Sequence, residues 1–283
     1  MSGLSSKGRA EYPKRYSNDI QIERKIRRGE LKVAVYGLGH VGSAMASVWL
    51  RAGAHVIDKS PQVLKYAREG KTHLPEPGVT EAYREGIRTG RFTVYDDLMQ
   101  ASHDSYLKLI CVPVLSRDGT ADLTSLKEAA SEVGKGLKKG DVVSVNPSVP
   151  PGTTEGIICK ILEDKSSGLS VDSDFSLLYN PERIYEGRAI EDIEERYPAA
   201  GAGPNSTRVG KELYSLIFKK GVLIMSNIRA AEAEKLFEGV FRDVNIALAN
   251  ELAKLCEKIG VNFWEAREAA NSQPFCNLHK PGV

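Results

Sequence analysis

Apolar residues follow two different spacings between residues 31 and 228. Short apolar or β-branched runs indicate strands, whereas apolar positions three or four residues apart indicate helices. The strands predicted in this way are Lys32–Tyr36, His55–Ile57, Arg91–Tyr95, Leu107–Val114, Asp141–Val145, Phe175–Tyr179 and Val222–Met225. The predicted helices are Val41–Ala52, Gln62–Glu69, Thr80–Thr89, Leu123–Leu137, Thr153–Leu162 and Arg208–Lys219. This alternation predicts a mostly parallel sheet with helices on both faces.

The pattern changes after residue 228. Residues 229–260 contain no proline and a single internal glycine, Gly239. Apolar side chains recur at helical spacing, at Leu236, Val240, Val244, Leu248, Leu252 and Leu255. The segment therefore predicts a helix of about 30 residues, roughly 45 Å long. Because one α/β domain rarely needs such a length, we expect this helix to connect domains or to pair with a second subunit.

The composition is that of a globular protein. Of the 283 residues, 41% are hydrophobic and 27% charged, which allows a sizeable buried core. The 39 basic and 37 acidic residues give a net charge of +2, so we predict no nucleic acid and no membrane as partners. No apolar run approaches the roughly 18 to 20 residues of a spanning helix, and residues 1–30 contain no stretch typical of a signal peptide. We expect a cytoplasmic protein.

The cysteines do not indicate a metal site. Cys111, Cys159, Cys256 and Cys276 are widely scattered and show no Cys-x-x-Cys spacing. Neither a zinc site nor a disulfide framework is indicated by such a distribution. We therefore predict reduced thiols and no bound metal.

A glycine-rich turn stands between the first predicted strand and the first predicted helix. Gly-Leu-Gly-His-Val-Gly at 37–42 fits the pattern Gly-x-Gly-x-x-Gly. In such a turn Gly37 permits the tight bend, Gly39 lets the backbone approach a diphosphate, and Gly42 lets the helix pack on the strand. The amides and partial positive charge at the helix N-terminus suit the phosphates. This context predicts a dinucleotide-binding site.

An acidic residue closes the second predicted strand. Asp58 lies 21 positions after Gly37, where a carboxylate accepts hydrogen bonds from a ribose 2′-hydroxyl and repels a 2′-phosphate. The predicted cofactor is therefore NAD rather than NADP. The predicted fold is of the α/β class: a Rossmann-type, doubly wound, mostly parallel sheet at 31–228, after a polar extension at 1–30. A long central helix and a short helical segment follow at 229–283.

Four further motifs carry a family resemblance. They are Ile-Cys-Val-Pro-Val at 110–114, Pro-Ser-Val-Pro-Pro-Gly-Thr-Thr at 147–154, Asn-Pro-Glu-Arg-Ile-Tyr-Glu-Gly at 180–187, and Lys-Leu-Phe-Glu-Gly at 235–239 running into Asp-Val-Asn-Ile-Ala at 243–247. In this order, from about Lys32 to the last residue, the chain resembles the UDP-glucose/GDP-mannose dehydrogenase family. The resemblance implies NAD-dependent oxidation of the C6 alcohol of a UDP-sugar, UDP-glucose or a UDP-N-acetylhexosamine, to the uronic acid.

The resemblance also implies roles for individual residues. Lys235 matches a helix lysine that stabilises the developing alkoxide and the later oxyanion. Glu182 and Glu186 match two acids that position the substrate and a catalytic water, where a carboxylate can act as a base. Ser148 replaces a family threonine whose hydroxyl helps to order that water. Pro113 and Val114 are expected to lie against the cofactor, although the family often has threonine at 114.

Three sets of site residues follow from the glycine turn and the resemblance together. The catalytic set is Lys235, Glu182 and Ser148. The cofactor-binding set is Gly37, Gly39, His40, Val41, Gly42, Asp58, Pro113, Val114, Ser148 and Glu186. The substrate-binding set is Glu182, Arg183, Glu186, Lys235 and Gly239. The expected partners are a UDP-sugar and a second copy of the chain, which forms a homodimer through the 229–260 helix.

The sequence departs from the family pattern in two further places. Gly239 stands where the family commonly has an asparagine one helical turn after its lysine. In the family, the nucleophilic cysteine lies in a Gly-Gly-x-Cys loop just beyond a Pro-Gly pair, whereas here Pro281 and Gly282 are followed only by Val283. Cys276 precedes that pair and lacks the glycine loop. We therefore expect that the nucleophile and the family's C-terminal UDP-binding domain are absent, and that the chain alone is inactive, because the second oxidation needs a thiol.

Two alternative functions stay open at this point. A β-hydroxyacid dehydrogenase similar to 6-phosphogluconate dehydrogenase also joins a Rossmann domain to long helices that bear a lysine. The Pro-Glu-Arg-Ile-Tyr-Glu-Gly motif argues against that enzyme. The chain could also be a non-catalytic NAD-binding dimerisation module, which the missing nucleophile would suit.

Overall fold

A five-stranded parallel sheet forms the centre of the computed structural model, which describes residues 32–53, 55–57, 76–95, 97–185, 187–195 and 201–282, and positions 22, 24, 28–29, 65–66, 69 and 71. Its strands are β1 (Lys32–Tyr36), β2 (His55–Ile57), β3 (Leu107–Ile110), β6 (Val142–Val145) and β7 (Ser176–Tyr179). They lie in the order β2-β1-β3-β6-β7, and every neighbouring pair is parallel. The predicted α/β class and parallel sheet are confirmed.

The predicted strand Arg91–Tyr95 is reduced to one bridge. Phe92 pairs in parallel with Val56 on the outer edge of β2, and the Thr93 amide donates to the Val56 carbonyl at 3.0 Å. If the Phe92 bridge counts as a strand and the six strands of this sheet are numbered along the chain, their order across the sheet is 3-2-1-4-5-6. This is the Rossmann order. The order reverses between β1 and β3, and ligands of such folds bind in the crevice at the carboxyl ends of the strands there.

Helices cover both faces of the sheet. They are α1 (His40–Arg51), α2 (Val79–Arg88), α3 (Leu98–Asp104), α4 (Thr124–Gly136), α5 (Cys159–Lys165), α6 (Ala189–Glu195) and α7 (Pro204–Tyr214), and a π-helical turn at Thr154–Ile158 leads into α5. One core joins α1, α2, α6 and α7 to the sheet, and the other joins α4, α5 and the start of the long helix. Successive residues of β1 contribute to different cores, because the side chains of a strand point alternately to the two faces of the sheet.

Two further strand predictions are wrong, one in its extent and one entirely. The run Leu107–Val114 leaves the sheet after Ile110 and continues into a small antiparallel hairpin, β4 (Leu115–Arg117) and β5 (Thr120–Asp122). The run Val222–Met225 forms no strand, and Leu223 and Ile224 are exposed. These residues are apolar, but no neighbouring strand pairs with them. An apolar run alone was therefore not enough to predict a strand.

The helix predictions agree better with the structure. Thr80–Thr89 and Leu123–Leu137 each shift by one residue at either end, whereas Arg208–Lys219 begins earlier and ends at Tyr214. The helix Thr153–Leu162 is found as the π-helical turn followed by α5. Gln62–Glu69 and the extension at 1–30 lie largely outside the described residues.

The long predicted helix is confirmed as α8 (Ile228–Ile259), which has 32 residues. The side chain of Asn227 accepts a hydrogen bond from the Ala230 amide at its start, and Gly260, with a φ of 71°, ends it in the left-handed conformation. A second helix, α9 (Phe263–Asn271), follows. Throughout the described part of the chain, no helix is both long and apolar enough to cross a membrane.

Candidate active site

The glycine turn folds into a corner that only glycine fits at two of its positions. Gly37 has a φ of +101°, and a Cβ there would lie 3.1 Å from the Cys111 carbonyl. A Cβ on Gly42 would lie 1.8 Å from the Gly37 oxygen. Gly37 and Gly42 are therefore required by the packing of β1, β3 and α1, as the sequence predicted.

Gly39 differs from the other two glycines of the turn because a side chain at this position would point into open space. A Cβ there would meet no atom within 4 Å, and Gly39 is the exposed N-cap of α1, where no side chain caps the helix. An exposed, uncapped helix start with backbone accessible at a glycine fits a dinucleotide diphosphate. His40 and Val41, in the first turn of the helix, are half-buried. Asp58, the predicted ribose ligand, lies outside the described residues, so its role stays a prediction.

A narrow cleft runs from α1 to the loop after β7. Val41 and Met45 line its α1 side, Glu182 and Arg183 line the opposite side, and Asn146 follows β6 at its floor. Asn146 Nδ2 donates to the Asn180 carbonyl at 2.9 Å, which joins the ends of β6 and β7. The cleft therefore lies at the carboxyl edge of the sheet, close to the glycine corner.

Lys235 reaches this loop from α8. Its Nζ donates to the Glu182 carbonyl oxygen at 2.5 Å and lies 3.3 Å from Glu182 Oε1. The lysine side chain is 16% exposed and the glutamate side chain 24%. The structure thus brings together two residues of the predicted catalytic set that are 53 positions apart in sequence.

Arg183 is engaged by α8 as well. Its Nε donates to Glu238 Oε1 at 2.8 Å, its Nη2 contacts the same oxygen, and Nη2 also donates to Glu234 Oε1 at 3.0 Å. The hydrogen bond to Glu238 raises the pKa of Arg183, and burial raises the pKa of Glu234. Arg183 was predicted to bind substrate, and here its guanidinium ties the loop to the helix.

Glu232 is a site residue that the sequence analysis missed. Its side chain is 0% exposed, and its two oxygens accept hydrogen bonds from the Gly152 amide at 2.5 Å and the Thr154 amide at 2.8 Å. These amides belong to the loop that carries Ser148. One signal was available: Glu232 shares the helix face of the apolar residues Ile228 and Ala231, so a charge lies beside apolar positions at the start of the helix.

Glu76 repeats this arrangement on the other loop and was also missed. It is buried, and its oxygens accept hydrogen bonds from the Gly187 amide at 2.5 Å and the Ala189 amide at 3.3 Å. Those amides flank the loop that begins at Asn180. Glu186, predicted to contact both cofactor and substrate, lies outside the described residues.

The other predicted residues lie around the same edge. Pro113, after β3, is exposed, whereas Val114 and Ser148 are half-buried. A Cβ on Gly239, one turn after Lys235, would meet no atom within 4 Å. The described residues contain no group of three His, Cys, Asp or Glu side chains that could hold a metal ion.

Comparison with known proteins places these features in a family. Residues 31–217 match the NAD binding domain of the UDP-glucose/GDP-mannose dehydrogenase family, and residues 229–283 match its central domain. The chain belongs to this family. The predicted cofactor, NAD, is confirmed by the same match, and the resemblance drawn from the motifs is confirmed over both regions.

Individual relatives agree with this assignment. A UDP-N-acetyl-D-mannosamine dehydrogenase from Pyrococcus horikoshii is 33% identical over 256 residues, covering 89% of this chain and 60% of the relative. An NDP-N-acetyl-D-galactosaminuronic acid dehydrogenase from Ralstonia solanacearum is 31% identical over 92% of this chain and 63% of the relative. The chain thus spans about three fifths of the length of these relatives.

Solved structures show the same fold. The Pyrococcus horikoshii UDP-D-ManNAc dehydrogenase superposes with a TM-score of 0.84 at 32% identity, over 89% of this chain and 60% of that one. A ternary complex of GDP-mannose dehydrogenase from Pseudomonas aeruginosa gives a TM-score of 0.82 at 25% identity, over 88% and 58%. These matches favour the nucleotide-sugar dehydrogenases over the 6-phosphogluconate dehydrogenase type.

Proposed function

We propose that the two matched domains serve an NAD-dependent dehydrogenase that oxidises the C6 alcohol of a UDP-sugar to the uronic acid. The observation that carries the proposal is the Lys235 ammonium, which is held on Glu182 beside the cleft that leads to the glycine corner. The two relatives described above are named for N-acetylhexosamine derivatives, which supports an N-acetylhexosamine as the preferred sugar. Glucose is the alternative.

The arrangement suits the first oxidation step. NAD bound at the glycine corner would supply the hydride acceptor for the oxidation at C6. Lys235 supplies a positive charge where the alcohol oxygen becomes an alkoxide, which stabilises the transition state more than the ground state. Glu182, 3.3 Å from that ammonium, accepts the alcohol proton directly or through a water that the Ser148 hydroxyl helps to hold. Glu186 completes the site in this proposal.

None of the four cysteines is assigned to the second oxidation. Cys111 and Cys159 are buried, and burial raises the pKa of the Cys159 thiol to about 11, which disfavours the thiolate needed by a nucleophile. Cys276 Sγ donates to Asn271 Oδ1, at the end of α9, at 3.5 Å.

We also propose that the protein is a homodimer through α8. Phe237, Val240 and Val244 are 71%, 62% and 61% exposed. Together with Phe241, Leu248, Leu255 and Ile259, they fall within an arc of about 100° on the helix. This stripe lies opposite the face of Glu232 and Lys235, so a second copy would cover it without blocking the cleft.

Binding experiments test the proposed function. The protein is first titrated with NAD in a calorimeter, and the NAD complex is then titrated with UDP-N-acetylhexosamines, UDP-glucose and 6-phosphogluconate. We expect NAD to bind and the UDP-sugars to bind the complex, with weaker binding when Lys235 is replaced by Met. Binding of 6-phosphogluconate in preference to every UDP-sugar would contradict the proposal.

A further inference from the structure

The buried carboxylate of Glu232 connects α8 to another helical segment of the domain. Its carboxylate lies at the N-terminus of the helical segment formed by the π-helical turn and α5. Amides at such an end carry partial positive charge and otherwise have no partner inside the helix. The carboxylate satisfies two of them, and this offsets the cost of burying its charge.

The loop held by Glu232 is also fixed from the sheet. Tyr179, the last residue of β7, donates its hydroxyl hydrogen to the Pro147 carbonyl at 3.2 Å. Burial, followed by the charge of Glu232, raises the pKa of Tyr179, so this hydroxyl stays protonated and can donate. The residues on either side of Ser148 are thus held by β7 at one end and by α8 at the other.

Lys235 follows Glu232 on the same face of α8, less than one turn later. The two side chains contact different loops: Glu232 contacts the 147–154 loop at Gly152 and Thr154, whereas Lys235 contacts Glu182 after β7. Any rotation or sliding of α8 that moved the lysine would also break both hydrogen bonds of the glutamate.

We propose that Glu232 is a positioning residue, which fixes the Lys235 ammonium relative to the Ser148 loop by clamping α8 to the Gly152 and Thr154 amides. The catalytic meaning of this clamp rests on the proposed function, since that proposal gives Lys235 and Ser148 their roles. The clamp itself is a statement about the folded chain and can be tested without a sugar substrate.

The test compares Glu232→Gln with two matched controls. The glutamine keeps the shape but offers one acceptor oxygen, and its amino group faces the other backbone amide. Asn227→Ala weakens the same end of α8 by removing its cap, and Asp97→Asn alters a similar carboxylate that accepts from the Met99 and Gln100 amides at the start of α3, outside the site. Three quantities are measured: NAD affinity, amide hydrogen exchange at 152–154, and the rate at which acetic anhydride acylates Lys235, resolved by mass spectrometry.

We expect Glu232→Gln to retain NAD binding and to accelerate both amide exchange at 152–154 and acylation of Lys235 by about tenfold. Both controls should leave the acylation rate of Lys235 near that of the unaltered protein. An unchanged rate in Glu232→Gln would overturn the proposal, because Glu232 would then be only a cap of the loop. Equal acceleration in Asn227→Ala would overturn it too, because general loosening of the helix would suffice.

A second variant covers the case in which Glu232→Gln does not fold. Glu232→Asp keeps the charge, but its shorter side chain cannot reach both amides, so the same acceleration at Lys235 is expected. If neither variant binds NAD, Glu232 is a folding residue and the positioning role is wrong. Failure of UDP-sugar binding in the unaltered protein would count against the proposed function and would leave these measurements unaffected.

Discussion

The Lys235 ammonium donates to the Glu182 carbonyl at 2.5 Å and lies 3.3 Å from the carboxylate of the same residue. One cation thus contacts both the backbone and the side chain of a single glutamate. The Lys235 side chain remains 16% exposed at this position, so these contacts do not seal it from solvent.

Replacing Lys235 by Met removes this cation and keeps the length of the side chain. We expect NADH formation with a UDP-sugar to fall by at least about 100-fold, because the alkoxide loses its stabilising charge, while NAD affinity is unchanged. The rate is that of the first hydride transfer, which forms one NADH and does not need the thiol of the second oxidation. Lys258→Ala, in the last turn of α8, is the control. Equal turnover in Lys235→Met and the unaltered protein would exclude the proposed role.

Two glycines of the dinucleotide corner should respond differently to alanine. A Cβ on Gly39 meets no protein atom, whereas a Cβ on Gly42 would overlap the Gly37 oxygen. We expect Gly39→Ala to keep its stability and to lose about tenfold or more in NAD affinity, because the methyl group enters the space of the diphosphate. Gly42→Ala should instead lower the free energy of unfolding by about 1–3 kcal/mol. Urea unfolding and calorimetry separate the two effects, and an NAD affinity retained in Gly39→Ala would contradict the assigned site.

The parts of the structure that sequence could predict are those encoded locally. The glycine corner is carried by a local motif at 37–42, and α8 is set by a long run with helical spacing between an asparagine cap and Gly260. The hairpin was equally local but was missed. Asp118 and Gly119, with φ values of 49° and 73°, form the kind of Asp-Gly turn that favours two-residue hairpins.

The contacts that assemble the site are not local. Glu232 binds an amide 80 residues earlier, and Glu76 binds one 111 residues later. Backbone amides carry no signature in the sequence, so a glutamate that binds them looks like any other acid on a helix or in a loop. The resemblance identified Lys235 and Glu182 because their family motifs are specific, but it gave no indication that Arg183 would be engaged by Glu234 and Glu238.

The exposed stripe on α8 gives a prediction about assembly. Val244→Glu places a charge at its centre, and we expect the variant to sediment as a monomer where the unaltered protein sediments as a dimer, because burying an unpaired carboxylate is unfavourable. Glu257→Ala, on the opposite side of the same helix, should not change the assembly. A monomeric unaltered protein in analytical ultracentrifugation would contradict the proposed dimer.

The buried pair Lys108 and Asp141 gives a prediction about pH. The two charged groups lie 2.5 Å apart with almost no exposure, and the lysine also donates to the Ser105 carbonyl at 2.6 Å. Burial lowers the pKa of Lys108 from 10.5 to about 8 and raises the pKa of Asp141. Between pH 8 and 10.5 the unfolded chain therefore binds more protons at Lys108 than the folded chain does.

Stability should consequently rise with pH in that window, relative to a variant without the lysine. We expect the free energy of unfolding of the unaltered protein, minus that of Lys108→Met, to increase by at most about 1.4 kcal/mol per pH unit from pH 8 to 10.5. Taking the difference removes the contributions of groups that titrate alike in both proteins. Just below pH 8 the lysine is charged in both states, so the rise should begin only there; at lower pH Asp141 adds a separate change, because it loses its neighbouring cation in the variant. Urea unfolding at a series of pH values measures it, and parallel curves across the whole range would show that Lys108 titrates normally.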